Sequence, residues 1–197
     1  MLILFVMKAG RGIIHSETPI GNGPLHAFQV WVNLKSKDKM IEPFYQDLHS
    51  KDIPKKRIDE YTHISLIGGK SEQHGLQSPL SLRTNVLYMH TVIEKQSHKF
   101  IETIPKGFQG LVYVFEGSGQ ITQGDNQIVN APEKSAILFD ETEEDATIEF
   151  ETTSPKVQLL LLAGEPLKEP MSRYGPFVMN TKEEIEQAFE DFHSGKF

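Results

Sequence analysis

His15 and Glu17, two positions apart in the stretch Ala9-Gly-Arg-Gly-Ile-Ile-His-Ser-Glu-Thr-Pro19, are side chains of the kind that hold iron, manganese or zinc through nitrogen and oxygen. Residues i and i+2 of a β-strand project from the same face. On a strand, the imidazole and the carboxylate would therefore point at one ion. Such an ion commonly takes about three or four protein ligands, with open positions left where chemistry is done. The fourteen residues before His15 include no His, Cys, Asp or Glu. A His-x-Glu pair on a strand is also common as a structural or solvated feature, so the spacing alone leaves both readings open.

The elements that must position such a pair read as strands. Phe28, Val30, Val32 and Leu34 alternate with Gln29, Trp31 and Asn33, as a sheet with one buried face requires. Further strands are predicted at His63–Ile67, Asn85–Ile93, Gly110–Phe115, Gly119–Gln123, Ala136–Phe139, Thr147–Phe150 and Val157–Leu162. Glu116-Gly-Ser-Gly119 and Gly124-Asp-Asn126 supply turn residues that tolerate left-handed backbone. Short strands at this spacing, without intervening helical periodicity, point to an all-β sandwich or barrel. One helix stands out at the C-terminus. Asn180 or Thr181 can cap it, Glu183 or Glu184 can complete a capping box, and Ile185, Ala188, Phe189 and Phe192 form an apolar stripe that should dock on a sheet.

Composition narrows the function classes. The 197 residues can bury a substantial core. With 27 acidic against 20 basic residues the net charge is −7, which disfavours direct DNA binding. Lys51, Lys55, Lys56 and Arg57 make a local basic patch that reads as a solvated linker beside Pro54. The chain has no cysteine, consistent with a reducing compartment. The opening Met1–Met7 run lacks the preceding positive charge of a signal peptide. No segment nears the roughly 18 apolar residues that cross a bilayer, so a soluble, intracellular protein without membrane contact is expected.

The surroundings of His15 and Glu17 extend the reading. Ala9-Gly-Arg-Gly12 resembles the signature of the pirin family, and the resemblance runs on through His26-Ala-Phe-Gln-Val-Trp-Val-Asn-Leu34, Lys39-Met-Ile-Glu-Pro43, Tyr45-Gln46 and Ile53-Pro54. It returns in Leu162-Ala-Gly-Glu-Pro-Leu-Lys-Glu-Pro170 and Tyr174-Gly-Pro-Phe-Val-Met-Asn180. The match is strong over residues 8–57 and 160–192 and looser between them. The resemblance implies a bicupin, two cupin β-barrels joined by a linker, with iron held in the first barrel by a His-x-His pair, a later His and a Glu. His15 and Glu17 sit where the later pair belongs, and no His-x-His occurs in the sequence. The expectation is a pirin-like chain lacking the first half of its N-terminal barrel, with an incomplete metal site that holds iron weakly or not at all. The remaining histidines, His26, His49, His63, His74, His90, His98 and His193, are scattered and read as surface or polar-core residues.

The expected division is a remnant of the first cupin plus linker over 1–57, a C-terminal cupin over 58–175, and a closing segment and helix over 176–197. Residues 1–34 should be the least secure part, since half a barrel leaves sheet edges unpaired. Cupin spacing counted back from Glu116-Gly117 falls on Gly110, Ile104 and Lys106, or on Thr103 and Pro105, none of which can ligate iron. The second cupin therefore reads as metal-free. The run Asp140–Asp145 could hold a hard cation such as calcium, against the simpler reading of an exposed, self-repelling loop.

Three functions follow from the resemblance. The first is a redox-sensitive transcriptional coregulator, in nucleus and cytoplasm, acting through a transcription factor or other regulatory protein. The second is a quercetin 2,3-dioxygenase-type enzyme acting on a flavonol-like molecule, with metal ligands His15 and Glu17 and with Glu17 as the catalytic base. The third is a non-functional remnant that folds only through its C-terminal cupin.

Overall fold

The structure, a computed structural model, describes residues 4–16, 18, 26–123 and 127–197. Two compact units divide the chain, one built on Leu48–Pro166 and the other on Phe5–Asp47 together with Leu167–Phe197. Strands β1 (Leu4–Lys8) and β2 (Phe44–Leu48) form a two-stranded ribbon, and Lys8 Nζ lies 4.3 Å from the centre of the Phe44 ring.

The first unit is a sandwich of two antiparallel sheets. Its strands are β3 (Lys55–Arg57), β4 (Thr62–Gly68), β5 (Lys70–Ser71), β6 (Leu76–Gln77), β7 (Val86–Ile93) and β8 (Lys99–Ile104). They continue as β9 (Gln109–Glu116), β10 (Gly119–Gln123), β11 (Gln127–Ala131), β12 (Ser135–Phe139), β13 (Ala146–Thr152) and β14 (Val157–Gly164). One sheet has the order β12-β9-β14-β7-β4-β3 and the other β11-β10-β13-β8. The hairpin β5–β6 stands apart from both.

Alternation explains the core. On β7, Leu87, Met89, Thr91 and Ile93 are buried while their neighbours are only partly so. On β14, the neighbouring strand of the same sheet, Val157, Leu159, Leu161 and Ala163 lie beside them on the same buried face. Phe100 of β8 faces Phe150 of β13 in register, both at 2% exposure or less. Each such ring contributes ~2–3 kcal/mol by leaving water.

All seven strands predicted between His63 and Leu162 are present, most of them a residue or two longer at an end. Two strands of the smaller sheet, β8 and β11, were not predicted. The Lys55–Arg57 patch, read as a linker, is instead the edge strand β3, paired with β4 through Lys55↔Ser65 and Arg57↔His63. The alternating segment Phe28–Leu34 is not a strand, and Phe28, Val30, Trp31 and Val32 are exposed. Its alternation finds no ladder partner among the described residues, and a strand without one is not formed. The expected Gly124–Asn126 turn lies outside the described residues.

In the second unit, β15 (Ser172–Tyr174) and β16 (Phe177–Met179) form a hairpin against helix α1 (Lys182–His193). Thr181 is the cap: its hydroxyl accepts from the Glu184 amide, and the Glu184 carboxylate accepts from the Thr181 amide at 3.0 Å. Ile185 is buried, and Phe189 packs edge-on to Phe177 with ring centres 4.9 Å apart. The helix thus docks on a hairpin, with Phe192 left 45% exposed.

Candidate functional site

The loop that carries His15 is built from the glycines before it. Gly10 has φ +53°, and a Cβ there would collide with the Ile41 carbonyl. The Arg11 amide donates to that carbonyl at 2.9 Å, the Gly12 amide donates to the Ala9 carbonyl at 2.9 Å, and the Arg11 guanidinium pairs with Glu42 at 2.8 Å. This turn pins Ala9–Gly12 to Ile41–Glu42. Beyond it, residues 12–16 have no strand geometry and His15 is exposed. The same-face argument for His15 and Glu17 therefore does not apply to the observed backbone, and Glu17 itself lies outside the described residues. Among the described residues no group of three or more His, Cys, Asp or Glu could hold a metal ion. They do not assemble an iron site around His15.

A buried cation organises the same unit. Lys39, in the Lys39–Pro43 stretch singled out above, is only 5% exposed and its Nζ donates to Asn33 Oδ1 at 2.5 Å. Burial holds its pKa below the ordinary lysine value, with Glu169 and Glu184 opposing. Glu169 accepts from the Ser36 amide at 2.6 Å and the Asn180 side chain at 3.2 Å, which keeps its own pKa low. These contacts position backbone rather than expose chemistry.

The interior of the sandwich holds one ionisable cluster, and reasoning from the sequence missed it. Glu102 lies on the inner face of β8 between Phe100 and Ile104, opposite Ile148 of β13, with 0% exposure. The Ser71 hydroxyl donates to Glu102 Oε1 at 3.0 Å, and the Thr103 amide donates to the same oxygen at 3.2 Å. His74 Nε2 lies 3.2 Å from Glu102 Oε2, but off the line of a hydrogen bond, so this buried nitrogen has no satisfied partner. The imidazole stacks over Phe100 with ring centres 6.3 Å apart. Burial drives the Glu102 carboxyl up to about 7 against the help of Ser71 and Thr103, and burial followed by the nearby Lys56 charge drives His74 down. The signal was available in Lys99–Ile104, whose alternation places a glutamate between two apolar inward residues.

The other sequence candidates sit elsewhere. His90 Nε2 bonds Gln158 Oε1 at 3.0 Å on β7 and β14, and the Gln158 amide donates to Glu116. Ile104 is in the core, and Gly110 lies where a Cβ would meet the Leu162 carbonyl. In the acidic run, Asp145 accepts from the Lys106 amide at 2.8 Å and Thr142 from the Gly107 amide at 3.0 Å. That run closes the 105–108 turn.

Comparison with known proteins places this architecture. The Pirin C-terminal cupin domain matches residues 88–197. The chain is 42% identical over 191 residues to Pirin of Rattus norvegicus, covering 96% of this chain and 63% of that protein. It is 37% identical over 190 residues to the Pirin-like protein of Solanum lycopersicum, covering 96% and 62%. It thus spans a little under two thirds of the length of these curated relatives. Among solved structures, a quercetin 2,3-dioxygenase from Acinetobacter baumannii superposes with TM-score 0.74 and 33% identity, over 85% of this chain and 55% of that one. GK1651 from Geobacillus kaustophilus gives 0.61 and 32%, over 71% and 54%. A family match over more than half of the chain, on a sandwich of the expected all-β class, settles its membership: the chain belongs to the pirin family.

Proposed function

We propose that this chain acts as a pirin-like regulatory protein, a redox-sensitive transcriptional coregulator that works by binding a transcription factor or another regulatory protein. The observation that favours a surface-based role is the filled interior of the first unit. Phe100, Ile104, Val112, Val114, Phe150 and Leu159 pack there with one carboxylate and one imidazole, and the described residues gather no three-ligand group. His15 and Glu17 remain the proposed metal ligands, for iron, and in this chain they form an incomplete set. Nucleus and cytoplasm are the compartments this reading requires. No helix among the described residues is long and apolar enough to cross a membrane.

A second reading is a quercetin 2,3-dioxygenase-type activity on a flavonol-like molecule, favoured by the 33% identity to the quercetin 2,3-dioxygenase from Acinetobacter baumannii. Glu17 would then be the base. Flavonol consumption under oxygen by the iron-supplemented protein separates the two. Turnover that disappears in Glu17→Gln supports the enzyme, whereas no turnover, together with a transcription-factor complex that survives Glu17→Gln, supports the regulator.

A further inference from the structure

The two sheets of the first unit each end in an open edge strand, β3 in one and β8 in the other, and the β5–β6 hairpin is tied to both. From β3, Lys56 Nζ donates to the His74 carbonyl at 2.8 Å. From β8, Glu102 accepts the Ser71 hydroxyl, the Ile101 carbonyl accepts from Gln73 Nε2 at 2.9 Å, and the Thr103 hydroxyl donates to Gln73 Oε1 at 2.9 Å. The base of the hairpin is fastened separately. The Ser78 amide donates to the Gly69 carbonyl at 2.9 Å, the Ser78 hydroxyl donates to the Ile67 carbonyl at 2.7 Å, and Gly69 turns the chain at φ +81°.

We propose that a single proton held between Glu102 and His74 Nε2 clasps the hairpin across the seam between the sheets, so that the seam closes with the proton bound and loosens when it is lost. With the proton present, a small turn of the imidazole from its 3.2 Å contact brings Nε2 into line to accept from Glu102 Oε2–H, and the orphaned nitrogen and the buried carboxyl satisfy each other. Without it, an anion faces Phe100 and Ile148 with only the Ser71 hydroxyl and the Thr103 amide to solvate it. Burial places the carboxyl's proton loss at about 7. Lys56, reaching in from β3, helps keep His74 in its neutral, accepting form. The remaining nearby charges look outward in pairs: Lys70 with Glu72 on the hairpin at 2.5 Å, and Lys99 of β8 with Glu149 of β13 at 2.7 Å. Gly69 and Gly75, both at positive φ, turn the chain at the base and the tip, and Ser78 holds the base.

Amide exchange of the full chain tests the clasp. If Glu102 regains an ordinary carboxyl pKa of 4.5 when the hairpin opens, the ratio of wild-type to Glu102→Gln opening constants for residues 71–75, corrected for intrinsic exchange and with the opposing His74 titration cancelled, should rise ~30-fold between about pH 5.5 and about pH 8.5. Glu102→Gln keeps an N–H beside Nε2 at every pH, so its opening constant should show only the fall with rising pH that His74 gives. Equal pH profiles for the two proteins would overturn the proposal. If Glu102→Gln does not fold, the carboxyl carbon resonance of Glu102 in the wild-type protein decides. Titration near 7 supports the clasp, and titration near 4.5 refutes it.

Discussion

Glu102 should make the stability of the first unit fall as pH rises, and Glu102→Gln should remove that fall. The unfolded chain releases this proton near 4.5, while the folded chain holds it to about 7. Between those values the folded state binds more protons, so the favourable contribution is complete below 4.5 and gone above about 7. The gap converts to ~3 kcal/mol. His74 works in the opposite direction. Its folded pKa is depressed, so its contribution is present above 6.5 and is lost as pH falls below that. It is common to both proteins and largely cancels in their difference. Urea unfolding followed by far-ultraviolet circular dichroism is the suitable assay, since the first unit holds most of the strands and the single tryptophan, Trp31, belongs to the other unit. The stability of Glu102→Gln relative to wild type should grow by ~3 kcal/mol from about pH 4.5 to about pH 8. A difference that stays constant to within about 1 kcal/mol would show that the carboxyl titrates normally and that the burial argument is mistaken.

Other substitutions test other parts of the fold. Phe150→Ala, removing a ring with 0% exposure opposite Phe100, should cost about 3–5 kcal/mol in the same urea experiment. Thr181→Ala should cost ~1 kcal/mol through loss of the capping box, read as faster amide exchange over the first turn of α1. Gly69→Ala should cost about 2 kcal/mol or more, because φ is +81° and the new Cβ would run into the Val86 carbonyl; a lowered melting temperature is the measure.

What was legible in the sequence was what local pattern determines. The strands β7, β9 and β14 lie side by side in one sheet and turn alternate residues into the core, so periodicity found them. Thr181 and Glu184 sit at capping-box spacing and form one. Where the reading failed, partners distant in sequence decide the outcome. Phe28–Leu34 has the alternation of a strand and finds no ladder among the described residues. Lys55–Arg57 has the composition of a linker and pairs with His63–Ser65. In β8 the inward glutamate hides an otherwise clear strand, and its side-chain hydrogen bond comes from Ser71, about thirty residues earlier in the chain. The half-site His15–Glu17 was legible as residue types, but its geometry on a strand was not realised at His15.

The central functional claim is that this chain works through its surface and does not by itself hold a stoichiometric iron. Elemental analysis of the purified chain after iron loading and passage over a chelating resin tests it most directly. Iron well below one per chain is the expected result, because His15 and Glu17 make only part of a ligand set. One tightly held iron per chain, lost on replacing His15 by Ala, would contradict the claim and favour the dioxygenase reading.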